Sequence, residues 1–158
     1  MKHTPEAAAF TELLLEVFRF NGQLLAAGDR LAGAVGLTSA RWQVLGAINR
    51  AGHPMTVSQI GRRMGLSRQS VQRIANDLKA LGFVTFESNP DHVRSMLVVP
   101  SAKARKALEG IGAIQIDWSN DLAKGMDATR LIEAVEVIRE LQSRCEDIEL
   151  SAKKSDPA

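Results

Sequence analysis

Residues 56–100 read TVSQIGRRMGLSRQSVQRIANDLKALGFVTFESNPDHVRSMLVVP, and this stretch decides the fold. Thr56-Val57-Ser58-Gln59 has the spacing of a capping box, with a hydroxyl at the cap and a glutamine three residues on. Val57, Ile60 and Met64 then recur on one stripe of a short helix. Gly65 supplies the positive φ that ends this helix, Leu66 is expected to pack back under the turn, and Ser67 caps the next one. The second helix is expected from about Arg68 to Leu81, with Val71, Ile74, Leu78 and Leu81 facing inward. Gly82 closes it. Phe83–Glu87 and Met96–Val99 read as a pair of β-branched and aromatic strands. Asn89-Pro90 starts the turn between them, and Pro100 ends the return strand because it cannot donate to a ladder. The unit is a helix-turn-helix followed by a hairpin wing.

The inward stripe of the second helix leaves Arg68, Gln69, Ser70, Gln72, Arg73 and Asn76 facing out. Arginine suits guanine, glutamine and asparagine suit adenine, and serine suits several base edges. They crowd the first turns, where a recognition helix meets the major groove. A solvated face would use similar residues, but it would normally interleave acids with bases, and residues 67–76 contain no acid. At the hairpin tip Arg94 is either an ordinary surface arginine or a cation aimed at the narrow minor groove, where the negative potential is enhanced. The wing shape favours the second role.

Residues 37–104 resemble the MarR family of bacterial winged-helix regulators. The resemblance rests on LTSARWQVLGAI at 37–48, on TVSQIGRRMGLSRQSVQRIANDLKALGFV at 56–84 and on NPDHVRS at 89–95, in this order and spacing. It implies that Ser67, Arg68, Gln69, Ser70, Gln72 and Arg73 contact the major groove and that Arg94 enters the minor groove. The wing departs from the usual Asp-Arg-Arg-small pattern: His92 stands at the Asp position and Val93 at the first Arg, while Arg94 and Ser95 fit. Pro100-Ser101 and Ala104 also replace the usual residues after the wing, which is expected to shift the start of the next helix. The resemblance further implies a small, often aromatic or phenolic effector bound where dimer helices meet the DNA-binding domain. Arg41 and Trp42 lie on the helix that often lines such a pocket, although a core position is the better reading of Trp42.

Outside this unit the ends read as helices. Residues 5–32 carry Phe10, Leu13, Leu14, Val17, Phe18, Leu24, Leu25 and Leu31 at mostly helical spacing, with Pro5 in the first turn. A helix over 102–124 carries Leu108, Ile111, Ile114, Ile116, Trp118 and Leu122, and Asp127 caps a last helix with Leu131, Val135, Ile138, Leu141, Cys145 and Ile148 on one stripe. The fold class is therefore mainly α with a small β-hairpin wing. The expected organisation is an N-terminal dimerisation helix at 1–36, a winged helix-turn-helix domain at 37–100, C-terminal dimerisation helices at 101–150 and a disordered tail at 151–158. A symmetric dimer is the commonest assembly, and it sets two recognition helices one DNA turn apart; a monomer with a larger helical cap is the alternative.

Charge agrees with a nucleic-acid partner without deciding it. The net charge is only +2, yet residues 56–106 hold nine Lys and Arg against three acids, the local excess expected of a phosphate-facing module. The absence of Tyr and the 4% aromatic content argue against single-strand binding on stacking platforms. The longest uncharged run is about ten residues, where a membrane span needs about twenty apolar ones, and Glu6, Glu12 and Glu16 interrupt the start; no membrane partner and a cytoplasmic location are expected. His3, His53 and His92 are scattered, and no phosphate loop or nucleophile elbow is present. No enzyme activity, metal or cofactor is expected. Cys145 excludes an internal disulfide. As a lone thiol it could serve a redox-sensing regulator, but its place on an apolar stripe favours packing. The expected function is a homodimeric repressor that binds a pseudo-palindromic operator of double-stranded DNA and is released by a small-molecule effector. The rival class is a winged-helix protein-interaction module that has lost DNA binding.

Overall fold

The computed structural model describes residues 3–92 and 94–155. Val93, which stands at an arginine position of the wing, and residues 156–158 of the expected tail lie outside the described residues. Nine elements follow in order: α1 (Pro5–Gly33), α2 (Ser39–Ala51), β1 (Met55–Thr56), α3 (Val57–Met64), α4 (Arg68–Ala80), β2 (Val84–Glu87), β3 (Leu97–Pro100), α5 (Ala102–Ala123) and α6 (Ala128–Ser155). They form two units, one ending at Asp117 and the other beginning at Trp118. The mainly helical chain with a small antiparallel sheet is the winged-helix class expected from the sequence.

Local chemistry sets the element ends. The capping box forms: Thr56 Oγ1 accepts from the Gln59 N–H at 3.3 Å, and Gln59 Oε1 accepts from the Thr56 N–H at 2.7 Å. Gly65, at φ 65°, ends α3. The Leu66 N–H then donates to the Gly61 carbonyl at 2.9 Å. That bond closes the turn through the Leu66 backbone and leaves its side chain 42% exposed, so Leu66 does not pack under the turn as the sequence suggested. Ser67 caps α4 by accepting from the Ser70 N–H at 3.1 Å. At the far end Gly82, at φ 74°, allows the Phe83 N–H to reach the Leu78 carbonyl at 2.8 Å and the Gly82 N–H to reach Lys79 at 3.0 Å, a Schellman closure. Phe83 and Leu78, brought together there, are both buried. Leu81 sits at the cap, outside the last full turn, and is 40% exposed; it does not join the inward stripe.

The sheet has the order β1-β3-β2. β3 is central, pairing Met55 with Val98 on one side and Phe86 with Val98 on the other. Both wing strands begin one residue later than the sequence suggested, and Pro100 stands opposite Val84 as the last pair. β1 has no counterpart in the sequence reading. In the core Leu45 of α2, Ile60 of α3, Val71 and Leu78 of α4, Val98 of β3 and Ile111 of α5 are fully enclosed. Together they fix α4 and the wing on one scaffold.

Ser101 joins the wing to α5. Its hydroxyl donates to the Gly82 carbonyl at 2.8 Å and accepts from the Ala104 N–H at 3.3 Å. Lys103 Nζ donates to the Leu81 carbonyl at 2.8 Å and sits 4.4 Å from the centre of the Phe83 ring. Ala104 is fully buried, so the small residue there is required by packing.

In the second unit Asp127 caps α6, accepting from the Thr129 N–H at 2.9 Å. Over 128–148 no residue is buried, and Leu141 alone is half-buried. Cys145 is exposed, against the expectation of packing, because its apolar stripe has no cover among the described residues. α6 also runs through Ser155, into the segment expected to be disordered. Ala152, Lys153 and Lys154 favour helix, and the first breaker in the sequence is Pro157. Among the described residues no helix is long and apolar enough to cross a membrane.

Candidate nucleic-acid interface

Arg68, Gln72, Asn76 and Lys79 recur along α4 at spacings of four, four and three, which places them on one face of the helix. That face borders a cleft of about 310 Å³ whose opposite wall is the wing, contributing Phe86, Arg94 and Ser95. The structure thus brings Arg68 and Gln72 together with Arg94, although they are far apart in sequence. Gln69 and Arg73, both exposed, lie on the adjoining stripe of α4 and do not line this cleft. Ser67 and Ser70 hold each other at 2.9 Å between hydroxyl oxygens, so part of their hydrogen-bonding capacity goes to the cap.

The cations at this surface fall into two groups. Lys79 is held 5.4 Å from the centre of the Phe86 ring, a cation–π distance that keeps the ammonium beside the cleft. The side chains of Arg68, Arg73 and Arg94 make no hydrogen bond or ion pair among the described residues. Their donors are available to a partner, as phosphate and base-edge recognition requires. By contrast, Lys103 and Arg105, part of the basic excess seen in the sequence, bind the Leu81 and Pro100 carbonyls at 2.8 and 3.0 Å and serve the fold. In the wing, Asn89 Oδ1 accepts from the Asp91 N–H at 3.0 Å, and the Ser95 N–H donates to the His92 carbonyl at 3.0 Å. These bonds shape the tip without the acid that the family pattern would place at 92.

Arg41 and Trp42 diverge. Arg41 Nη2 reaches Asp77 Oδ2 at 3.2 Å and ties α2 to α4. Trp42 is half-buried against the core and also lines a cavity of about 430 Å³ with Gln43, Arg50, Leu108 and Gln115. Its core role and its place on a cavity wall are compatible. That volume falls in the range of small-molecule sites.

Lys79 belongs to the cleft but was not singled out in the sequence; Asn76, read there as an outward base-reading residue, was not among the contacts implied by the family resemblance. The signal was available for both, since each continues the spacing that starts at Arg68. Phe86 carried no such signal, because its place depends on how the wing folds back toward α4.

A recognition helix, a wing and free arginines between them describe a DNA-binding shape, and comparison with known proteins supplies its lineage. The profile described as MarR family matches residues 35–95. The chain belongs to the MarR family. An uncharacterised protein of Mycobacterium tuberculosis is 39% identical over 119 residues, covering 75% of this chain and 82% of that protein. The M. tuberculosis transcriptional regulator MOSR, solved in complex with DNA, superposes with a TM-score of 0.70 at 21% identity, over 84% of this chain and 96% of the other. An organohalide-sensing transcriptional regulator in its 2,4-dichlorophenol-bound form gives a TM-score of 0.75 at 15% identity, over 86% of this chain and 80% of the other. At such identities the two structural likenesses establish a shared fold. The MarR-family winged helix is the architecture of DNA-binding transcription regulators.

Proposed function

We propose that this MarR-family chain is a homodimeric repressor that binds a pseudo-palindromic operator of double-stranded DNA. The observation that carries the reading is the cleft between α4 and the wing, which gathers Arg68, Gln72, Lys79 and Arg94 with no acid on its walls. The first turns of α4 enter the major groove and read base edges through Arg68, Gln69, Gln72 and Arg73, supported by Ser67 and Ser70. Arg94 enters the flanking minor groove. The wing lacks the first arginine of the family pattern, where Val93 stands, so its grip on the flank rests on Arg94 alone.

Dimerisation accounts for the apolar surface the chain leaves in water. Phe18 and Phe20 of α1 are 64% and 51% exposed, and Ile132 of α6 is 60% exposed. Large apolar side chains left exposed in number along two helices are what an interaction surface looks like before its partner covers it. A small aromatic effector fits the cavity beside Trp42, the same ligand class as the dichlorophenol held by the regulator of like fold. Arg41, next to Trp42, pairs with Asp77 of α4, so a ligand that displaces this part of α2 also displaces the recognition helix and releases DNA.

Footprinting on the DNA upstream of the chain's own coding region tests this. The expected pattern is two protected half-sites with centres about one helical turn (roughly 10 base pairs) apart, weakened by a small phenol. A single protected half-site, or none, would contradict the reading.

A further inference from the structure

Gln72 is a restrained polar side chain of the cleft. It is half-buried, and its Nε2 donates to Asn76 Oδ1 at 3.0 Å, one helical turn further along α4. With Nε2 as the donor, the bond consumes one of its two protons. What remains for a partner is the second Nε2 proton and the whole of Oε1, side by side in one plane. That donor–acceptor pair matches adenine, whose major-groove edge offers N7 as acceptor and N6–H as donor. Arg68, the next residue toward the helix start on the same stripe, has no such tether.

From this geometry we infer that Asn76 is a positioning residue for sequence reading: it locks the Gln72 carboxamide in the orientation that selects adenine at one position of each half-site. The inference rests on the DNA-binding reading above. Restraining the side chain before DNA arrives lowers the ordering cost of the contact, and it penalises guanine, whose O6 would meet the Gln72 oxygen. Asn76 acts here through Gln72 and need not touch a base.

The test is competition binding against operators in which each position of a half-site is varied in turn, with the full-length dimer. The wild type should prefer adenine at one position, and Gln72→Ala should erase that preference. Asn76→Ala should reduce the same preference about fivefold or more while changing affinity for unrelated DNA little. It should have no further effect at that position in the Gln72→Ala background. Asn76→Asp keeps the acceptor but adds a negative charge. It should retain the adenine preference while lowering affinity for every sequence. Adenine preference that survives Asn76→Ala, or is lost in Asn76→Asp, would overturn the inference while leaving the DNA-binding reading intact. A wild type without preference at any position would overturn both.

Discussion

Arg94 stands at the wing tip with its guanidinium unpaired among the described residues, beside the position where the first arginine of the family's wing pattern is replaced by Val93. In the proposed binding mode one cation serves the minor groove, where attraction depends on groove width. Arg94→Ala should lose affinity most on operators with A·T-rich flanks, measured by competition between flank variants; an equal loss on all flanks would place Arg94 on the phosphates instead. Arg73 lies on the stripe of α4 outside the cleft, exposed and unpaired among the described residues. Arg73→Ala should cost about 1–3 kcal/mol at a single base position and relax specificity there. A loss of the same size for every sequence would mark it as a phosphate contact. At this scale the sequence was informative about residue type and face. The stripe of Val71, Ile74 and Leu78 fixed which side of α4 points outward. It could not show that Arg68, Gln72, Asn76 and Lys79 share a cleft with the wing, because that depends on the angle at which the hairpin returns. Nor could it show that Lys103 and Arg105 are engaged with carbonyls of their own chain.

At the scale of elements, the turn between α3 and α4 is closed by a tight approach. A methyl group on Gly61 would stand 2.8 Å from the Leu66 carbonyl oxygen, a backbone atom that cannot swing aside. Gly61→Ala should destabilise the protein by about 1–3 kcal/mol through overpacking, read as a lower thermal midpoint. Gly46, in the interior of α2, meets nothing closer than the end of the Arg50 side chain at 3.9 Å. Gly46→Ala should raise stability by about 0.5–1 kcal/mol, since alanine is the better helix former; equal responses at the two sites would contradict the steric account. The helices and their caps were legible because capping is local: Thr56 with Gln59, Ser67, and Asp127 are all read within four residues. β1 was not legible. Its two residues form a strand only because β3, some forty positions away, supplies the partner, and no local pattern encodes that pairing. Leu66 and Leu81 were misread for a related reason. Leu66 follows Gly65, which has already ended α3, and Leu81 is the cap of α4 just before Gly82, so at neither position does helical periodicity say which way the side chain points.

For the whole molecule, the described chain keeps one enclosed core, in the unit ending at Asp117, and leaves much of α1 and α6 uncovered. A second copy of the chain is the proposed cover. Phe18, at 64% exposure, is a sensitive probe because a buried carboxylate at an apolar interface is costly. Phe18→Glu should shift the protein from dimer to monomer in sedimentation equilibrium and weaken operator binding in proportion; a wild type that is monomeric at micromolar concentration would remove the basis for two symmetric half-sites. The exposure of Cys145 belongs to the same question, since the proposed second copy would also be the cover for the stripe it shares.

The reading proposed for α4 and the wing is that they bind double-stranded DNA with sequence preference. The most direct test is a gel-shift titration of the protein on its own upstream intergenic DNA at two salt concentrations, with unrelated DNA as competitor. The account predicts tight binding that resists the competitor and falls steeply as salt rises, because phosphate contacts release counterions. Binding that is weak, indifferent to sequence and insensitive to salt would contradict it and favour a winged helix that docks to a protein partner.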